Sequence, residues 1–401
     1  MNVHDSEKVA NLLLHDGWES ARGMDDADLL ILNTCSIRDK AEHRLYSELG
    51  KLREWKQSAQ GRSIGVAGCV AQQQGDALLR RFPQLDFVYG THNLRRVPEM
   101  AAAALRGVRD SQTEEYRSCD RFDLPSRHPS LVGDTAGRAF VTVMEGCDMF
   151  CSFCIVPKTR GREISRPAEA VVGEVASLVA GGVREVTLLG QTVNAYGRHD
   201  LKRGRWESVG TMSFAALLRK LAEIPGIHQL RYTSPHPLFF DEELIGAHSD
   251  IEALCPHVHL PLQSGSDAIL ESMKRRYSAQ DFLEIVANLR RVRPDINIST
   301  DVIVGFPGEQ EDDFDATLEV MREAAFVDSF SFKYSERPDT TALGLPGAVP
   351  PQVMQERLER LQDVQRELTL RAHGERIGGE TLVRLEGESR KGQGQWRGRD
   401  P

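Results

Sequence analysis

From Arg138 onward the chain repeats one unit: a short apolar run, then an amphipathic segment with the period of a helix. The strand candidates are 139–144, 185–189, 228–232, 258–261, 296–304 and 328–332. Strand-then-helix repeats make successive strands parallel, because a helical crossover returns the chain to the same end of the sheet. The units in this stretch suggest a partial (β/α)6 barrel open on one side, since a closed eight-unit barrel needs more of them. The fold class is therefore α/β, with chemistry expected at the C-terminal strand ends.

The first hundred residues follow a smaller version of the same rule. Asp5 or Ser6 can cap a helix whose apolar stripe is Val9, Leu12 and Leu13, ending near Gly17. Leu29-Leu30-Ile31-Leu32 reads as a strand covered on both faces. A helix from Ala41 to Trp55, a strand from Ile64 to Ala67, another helix and a strand at Phe87-Val88-Tyr89 complete an open parallel sheet. The layer opens on a helix, with no strand before it. The expected domains are 1–104, a polar linker at 105–137, the barrel core at 138–366 and a tail at 372–401. After Pro350-Pro351 a charged helix carries Met354, Leu358, Leu361 and Leu368; the tail has one strand-like run, Thr381–Leu385.

A length of 401 residues calls for two or three domains, and an apolar fraction of 40% suits folded cores. No apolar run approaches the ~20 residues of a membrane span. The start, Met1-Asn2-Val3-His4-Asp5, has no apolar signal region, so a cytoplasmic address is expected. Seven unevenly spaced cysteines make a poor disulfide framework. The net charge of −9 leaves any nucleic-acid binding to local basic patches.

Cys147-x3-Cys151-x2-Cys154 follows the first barrel strand. A structural zinc site wants four protein ligands, and no fourth Cys or His lies nearby; a redox Cys-x-x-Cys pair leaves Cys147 unexplained. Three thiolates on a 4Fe–4S cubane leave one iron open, which the amino and carboxylate groups of S-adenosylmethionine (SAM) can chelate.

Residues Glu145–Gly161 resemble the radical SAM methylthiotransferases, and most closely those that act on isopentenyladenosine in tRNA. The likeness covers nearly the whole chain. It extends to Leu189-Gly190-Gln191-Thr192-Val193-Asn194, Ser234-Pro235-His236-Pro237, Leu260–Ser266 and Asp301–Glu309. The resemblance implies a SAM pocket that includes Gln191, Ser234, His236, Gln263 and the Gly305 turn. It also implies a second 4Fe–4S cluster held by Cys35 and Cys69, each just past an apolar strand. That cluster takes three cysteines in the family. The block carrying the first is interrupted at Met1, so the chain reads as lacking an opening strand and one ligand. His4, Cys119 and Cys255 are the substitutes to consider; Cys119 and Cys255 read as structural.

Cys35-Ser36-Ile37-Arg38-Asp39-Lys40 and Phe330–Pro338 resemble the isopentenyladenosine enzymes, as against relatives that modify other adenosines or a ribosomal protein. The implied reaction is methylthiolation of C2 of N6-isopentenyladenosine at adenosine-37, next to the anticodon. One SAM would methylate sulfur at the N-terminal cluster, and a second, cleaved at the Cys147/Cys151/Cys154 cluster, would abstract the C2 hydrogen. The implied partners are tRNA and an electron donor such as flavodoxin or ferredoxin, with the enzyme a monomer and no membrane involved. A non-catalytic binding remnant is the competing reading. Basic clusters stand at Arg160/Arg162/Arg166, Lys274/Arg275/Arg276, Arg290/Arg291/Arg293 and Arg390/Lys391/Arg397/Arg399, and the one beside the cysteine loop is the candidate for gripping phosphates. The tail from Glu375 resembles the opening of a TRAM domain, an OB-like β-barrel, of which a strand or two are present.

Overall fold

The computed structural model describes residues 1–36, 39–116, 118–128, 131, 137–199, 210–389, 392 and 394–400. They divide into two compact units. The first is Met1–Asp134 with Glu145–Asp148 and Ile155–Ile164; the second is Thr135–Met144, Met149–Cys154 and Ser165–Pro401.

The first unit runs α1 (Asn2–His15), β1 (Leu29–Thr34), α2 (Asp39–Gln57), β2 (Ser63–Gly68), α3 (Cys69–Gln74), α4 (Asp76–Arg81), β3 (Phe87–Tyr89), α5 (Val97–Leu105), β4 (Asp110–Gln112) and, beyond the unit's break, α6 (Val156–Thr159). The strands form one parallel sheet in the order β1-β2-β3-β4. β2 is buried along its whole length. Ile64 and Val66 pack with Leu45, Leu49 and Leu52 of α2, while Ala67 and Phe87 pack with Val97 and Met100 of α5.

Three expectations change here. β1 is an edge strand and half-buried throughout, so the full cover expected of Leu29–Leu32 belongs to β2. Asp5 is not a cap, because α1 starts at Asn2 and turns Asp5 inward. Asp110–Gln112, in the stretch read as a polar linker, forms β4, paired parallel with β3.

The second unit places β5 (Arg138–Thr142), β6 (Glu185–Leu189), β7 (Gln229–Tyr232), β8 (His257–His259), β9 (Asn297–Val304) and β10 (Asp328–Lys333) at the anticipated positions. The helices between them are α7 (Ala168–Ala180), α8 (Phe214–Ala222), α9 (Glu242–Asp250), α10 (Asp267–Ser272), α11 (Ala279–Val292) and α12 (Glu311–Ala324), followed by α13 (Pro351–Glu375). The ladders β5-β6-β7 and β8-β9-β10 are parallel, and a Leu230–Leu254 bridge ties β7 to the segment that leads into β8. Among the described residues no ladder joins β10 back to β5, so the barrel stays open.

Strand side chains alternate between two faces. Val186, Leu188, Leu230, Val258, Ile298 and Val302 pack on the helices, through Val175, Leu218, Phe282, Val286 and Met321. Glu185, Arg231, His257, His259, Ser299 and Asp301 therefore turn to the opposite, concave face. The tail forms an antiparallel hairpin, β11 (Arg384–Glu388) with β12 (Trp396–Arg399), its first strand overlapping the predicted run but shifted three residues toward the C-terminus. The hairpin docks under this face. Arg384 pairs with Glu185 at 2.5 Å, and Glu386 with Arg138 at 2.8 Å.

Candidate active site

The cysteine loop begins on a glycine that cannot be replaced. Gly146 has φ +81°, and an added Cβ would lie 2.1 Å from the Arg162 carbonyl oxygen. This close pass lets the Cys147 N–H donate to the Gly161 carbonyl at 3.2 Å. Asp148 is held by Arg162 at 2.6 Å. Phe150 takes φ +51°, which turns the chain into the second half of the loop. There the Cys154 N–H donates to Cys151 O at 3.0 Å, the Ser152 N–H to Met273 O at 3.0 Å, and Ser152 Oγ to Ser272 O at 2.8 Å. Cys147 and Cys151 are buried and Cys154 half-buried; all are free thiols.

A buried guanidinium serves Cys151. Arg275 donates through Nη1 to Cys151 Sγ at 3.4 Å, through Nη2 to Pro261 O at 3.2 Å, and through Nε to Tyr277 Oη at 3.1 Å. Its neighbours Lys274 and Arg276 both have positive φ and are exposed, so the backbone turns out, in and out again across these three residues. Burial works against Arg275's charge, but Tyr277 and Cys151 more than offset it, so the proton is held more firmly than usual.

The expected SAM residues follow strand ends of the second unit: Gln191 after β6, Ser234 after β7, Gln263 after β8 and Gly305 after β9. Gln191 is half-buried and Ser234 exposed. Ser234 and Gln263 take φ +59° and +73°. Gly305 is a tight turn at φ +74°, its N–H given to Glu309 Oε1 at 2.9 Å, and a Cβ there would strike Met354. His236 is buried, its backbone locked to Asn194 through both amide groups. Burial first, then Arg275 and Arg276, hold its imidazole well below the usual histidine pKa. The Leu238 N–H donates to Nδ1, so the neutral ring carries its proton on Nε2. That Nε2 is buried with no partner among the described atoms. A buried donor left open at the strand-end rim fits an acceptor-bearing cofactor such as SAM.

In the first unit, β1 and β2 pair in a register that sets Thr34 beside Gly68. Cys35 and Cys69 are the next residue of each strand, so the sheet brings these thiols to one edge. At Gly68, φ +90°, a Cβ would lie 2.3 Å from the Thr34 carbonyl oxygen. Cys69 is buried and Cys35 half-buried. Beside them lies an ion pair, Arg160 Nη2 to Asp5 Oδ2 at 2.5 Å, both side chains buried. Burial raises Asp5, but Arg160 and then Lys8 bring it below the usual carboxylate range. Arg160 keeps its proton more firmly than usual, since Asp5 and Cys69 outweigh burial.

Of the substitutes considered for a third ligand, His4 has Nδ1 3.4 Å from Glu7. Cys255 is buried in the other unit, its thiol pushed up to about 11 by burial. The Cys119 side chain lies outside the described residues. Among the described residues no three His, Cys, Asp or Glu side chains gather around one point.

The basic clusters are corrected only in part, since Arg162, Lys274, Arg276 and Arg291 stay exposed. Arg160 and Arg166 do not face solvent: Arg160 pairs with Asp5, and Arg166 with Glu174 at 2.7 Å and with Thr142 O. Arg290 and Arg293 cap carbonyls of neighbouring elements. Arg397 and Arg399 reach Glu386, while Arg390 and Lys391 lie outside the described residues. Sequence reasoning missed Arg275 and Asp5 as site residues; the available signal was a charge set among apolar neighbours, Met273 and Tyr277 in one case and Val9 in the other.

Residues 141–321 match the Radical SAM superfamily and residues 1–90 the uncharacterized protein family UPF0004. The tRNA-2-methylthio-N(6)-dimethylallyladenosine synthase of Geobacter metallireducens is 48% identical over 98% of this chain and 86% of its own length. That of Agrobacterium fabrum is 47% identical over 90% of this chain and 79% of its own. Among solved structures, the radical SAM methyltransferase TsrM from Kitasatospora setae has a TM-score of 0.56 at 17% identity, over 85% of this chain and 66% of that one. The cobalamin-dependent SAM radical enzyme OxsB has a TM-score of 0.57 at 12% identity, over 92% of this chain and 53% of that one. These two structural likenesses concern the fold. The identity to the synthases spans both units, and the chain belongs to the tRNA-2-methylthio-N(6)-dimethylallyladenosine synthase family of radical SAM enzymes.

Proposed function

We propose that this enzyme adds a methylthio group to C2 of N6-isopentenyladenosine at position 37 of tRNA, beside the anticodon. The observation that carries the reading is the 48% identity to a synthase of that nucleoside over 98% of the chain. A radical SAM enzyme works with a 4Fe–4S cluster and SAM. Cys147, Cys151 and Cys154 would hold the cluster, which when bound supplies the electron for SAM cleavage.

The chain's own residues orient and exclude. Gly146 and the Ser152 anchors fix the loop backbone, and Arg275 directs a charged N–H at Cys151 Sγ. His236 offers Nε2–H to SAM, and Gln191, Ser234, Gln263 and Gly305 shape the rest of its pocket. Cys35 and Cys69 would hold the second cluster, with Arg160 and Asp5 beside it as a buried, charge-balanced wall. An anticodon-loop base must be splayed out of its stack to reach such a site. A small electron carrier of the flavodoxin or ferredoxin type, a monomeric state and a cytoplasmic address complete the reading. Among the described residues no helix is long and apolar enough to cross a membrane.

The test is an anaerobic assay of reconstituted enzyme with SAM, a reductant and isopentenylated tRNA, with nucleosides read by mass spectrometry. The 2-methylthio product is expected. Its absence, or modification of ribosomal protein instead, overturns the reading.

A further inference from the structure

On the concave face of the second unit, β8 and β9 build a continuous hydrogen-bonded chain. His257 Nε2 lies 3.0 Å from Ser299 Oγ, Ser299 Oγ lies 3.0 Å from His259 Nδ1, and His259 Nε2 lies 3.3 Å from Asp301 Oδ2. A carboxylate only accepts, so His259 carries its proton on Nε2 and its Nδ1 accepts from the Ser299 hydroxyl. Ser299 Oγ in turn accepts from His257. Every proton in the chain is thereby assigned, and the chain ends on Asp301, whose side chain keeps 29% exposure. In register beside Asp301 stands Phe330, 51% exposed and edge-on to the His259 ring at 5.7 Å. A large exposed aromatic beside an oriented carboxylate is a surface for a flat ring with a donor on its edge.

The strip lies below the rim. Gln263 donates its N–H to the Asp301 carbonyl at 2.8 Å, so Asp301 is one layer beneath a residue of the proposed SAM pocket. In a purine, C2 and C6 are the two carbons that flank N1, so their outward bonds diverge. A base that presents C2 to the rim therefore directs its N6 group sideways and away from the rim, where Asp301 lies one layer beneath.

We propose that Asp301 accepts the N6–H of the substrate base while Phe330 stacks on its ring, with His259 and Ser299 as positioning residues for Asp301. The inference rests on the function proposed above. It adds a demand on the substrate: the N6 amine must keep one hydrogen.

The test measures binding, without SAM, of two anticodon stem-loop RNAs to the full chain. One carries N6-isopentenyladenosine; the other carries the same base methylated on N6, which removes the hydrogen. The wild type should prefer the first by about ten-fold or more. Asp301→Ala should bind both equally. Phe330→Ala should weaken both by about ten-fold and keep the preference. A wild type indifferent to the N6 hydrogen, an Asp301→Ala enzyme that retains the wild-type ratio, or unchanged affinities in Phe330→Ala each overturn the proposal. Should Asp301→Ala not fold, the wild-type ratio and the Phe330→Ala affinities still decide it. If the wild type makes methylthio product while these results go against Asp301, only this inference falls. If the wild type makes none, the proposed function falls as well.

Discussion

The two sets of cysteines are assembled by different means. Cys147, Cys151 and Cys154 occupy one short loop, and local hydrogen bonds plus two left-handed residues set their spacing. Cys35 and Cys69 are far apart in sequence and stand side by side only because β1 and β2 pair in one register. Yet each set has a buried arginine at a thiol, Arg275 with Cys151 and Arg160 with Cys69. Arg160 is neutralised by Asp5, whereas Arg275 meets only carbonyl, phenol and thiol groups among the described residues. A site made by a loop can lose a ligand without losing its frame; a site made by register depends on the whole sheet.

The sharpest way to break this comparison is to remove one thiol from each. Cys151→Ala should lose about four irons per chain and at least about a hundred-fold of 5′-deoxyadenosine formation. Cys69→Ala should go on cleaving SAM while methylthio product disappears, as followed by iron analysis and mass spectrometry. If both variants stop SAM cleavage, the two sets do not divide the work.

A smaller effect separates the arginines. Arg160→Gln leaves Asp5 buried without its partner and should cost the first unit about 3–5 kcal/mol in denaturant unfolding. Arg275→Gln strands no carboxylate, so its cost should be clearly less. Equal losses would mean that Arg275, too, is chiefly a structural residue.

The smallest effect is electronic. A positive N–H directed at a ligand sulfur favours the reduced cluster, so Arg275→Gln should move its midpoint potential negative by on the order of tens of millivolts. Titration followed by electron paramagnetic resonance measures this, and an unmoved potential removes Arg275 from the tuning of the cluster.

What could be read beforehand follows the same division. The barrel strands were legible because their helix-facing positions form short, mostly apolar segments, such as Val186 to Leu189. The loop was legible because its spacing is local. β4 was not, because Asp110-Ser111-Gln112 joins the sheet through its backbone and has no apolar pattern. Arg160, Arg166 and Arg275 looked like surface charge, since their partners lie elsewhere in sequence: Asp5 is 155 residues from Arg160 and Cys151 is 124 from Arg275. The His259–Asp301 pair needs the register of two strands before it exists at all.

Among the described residues no ladder joins β10 to β5, and this has a topological meaning. A closed ring of strands is a hole, and a polymer enters a hole by threading an end or pushing a loop through the mouth. A layer of strands with a free edge is a slot, and a polymer can be laid into a slot sideways. Phe330 stands on that free edge strand. For the function proposed above, such a slot suits a nucleotide joined to its neighbours on both sides, laid in with the RNA backbone left outside and uncut.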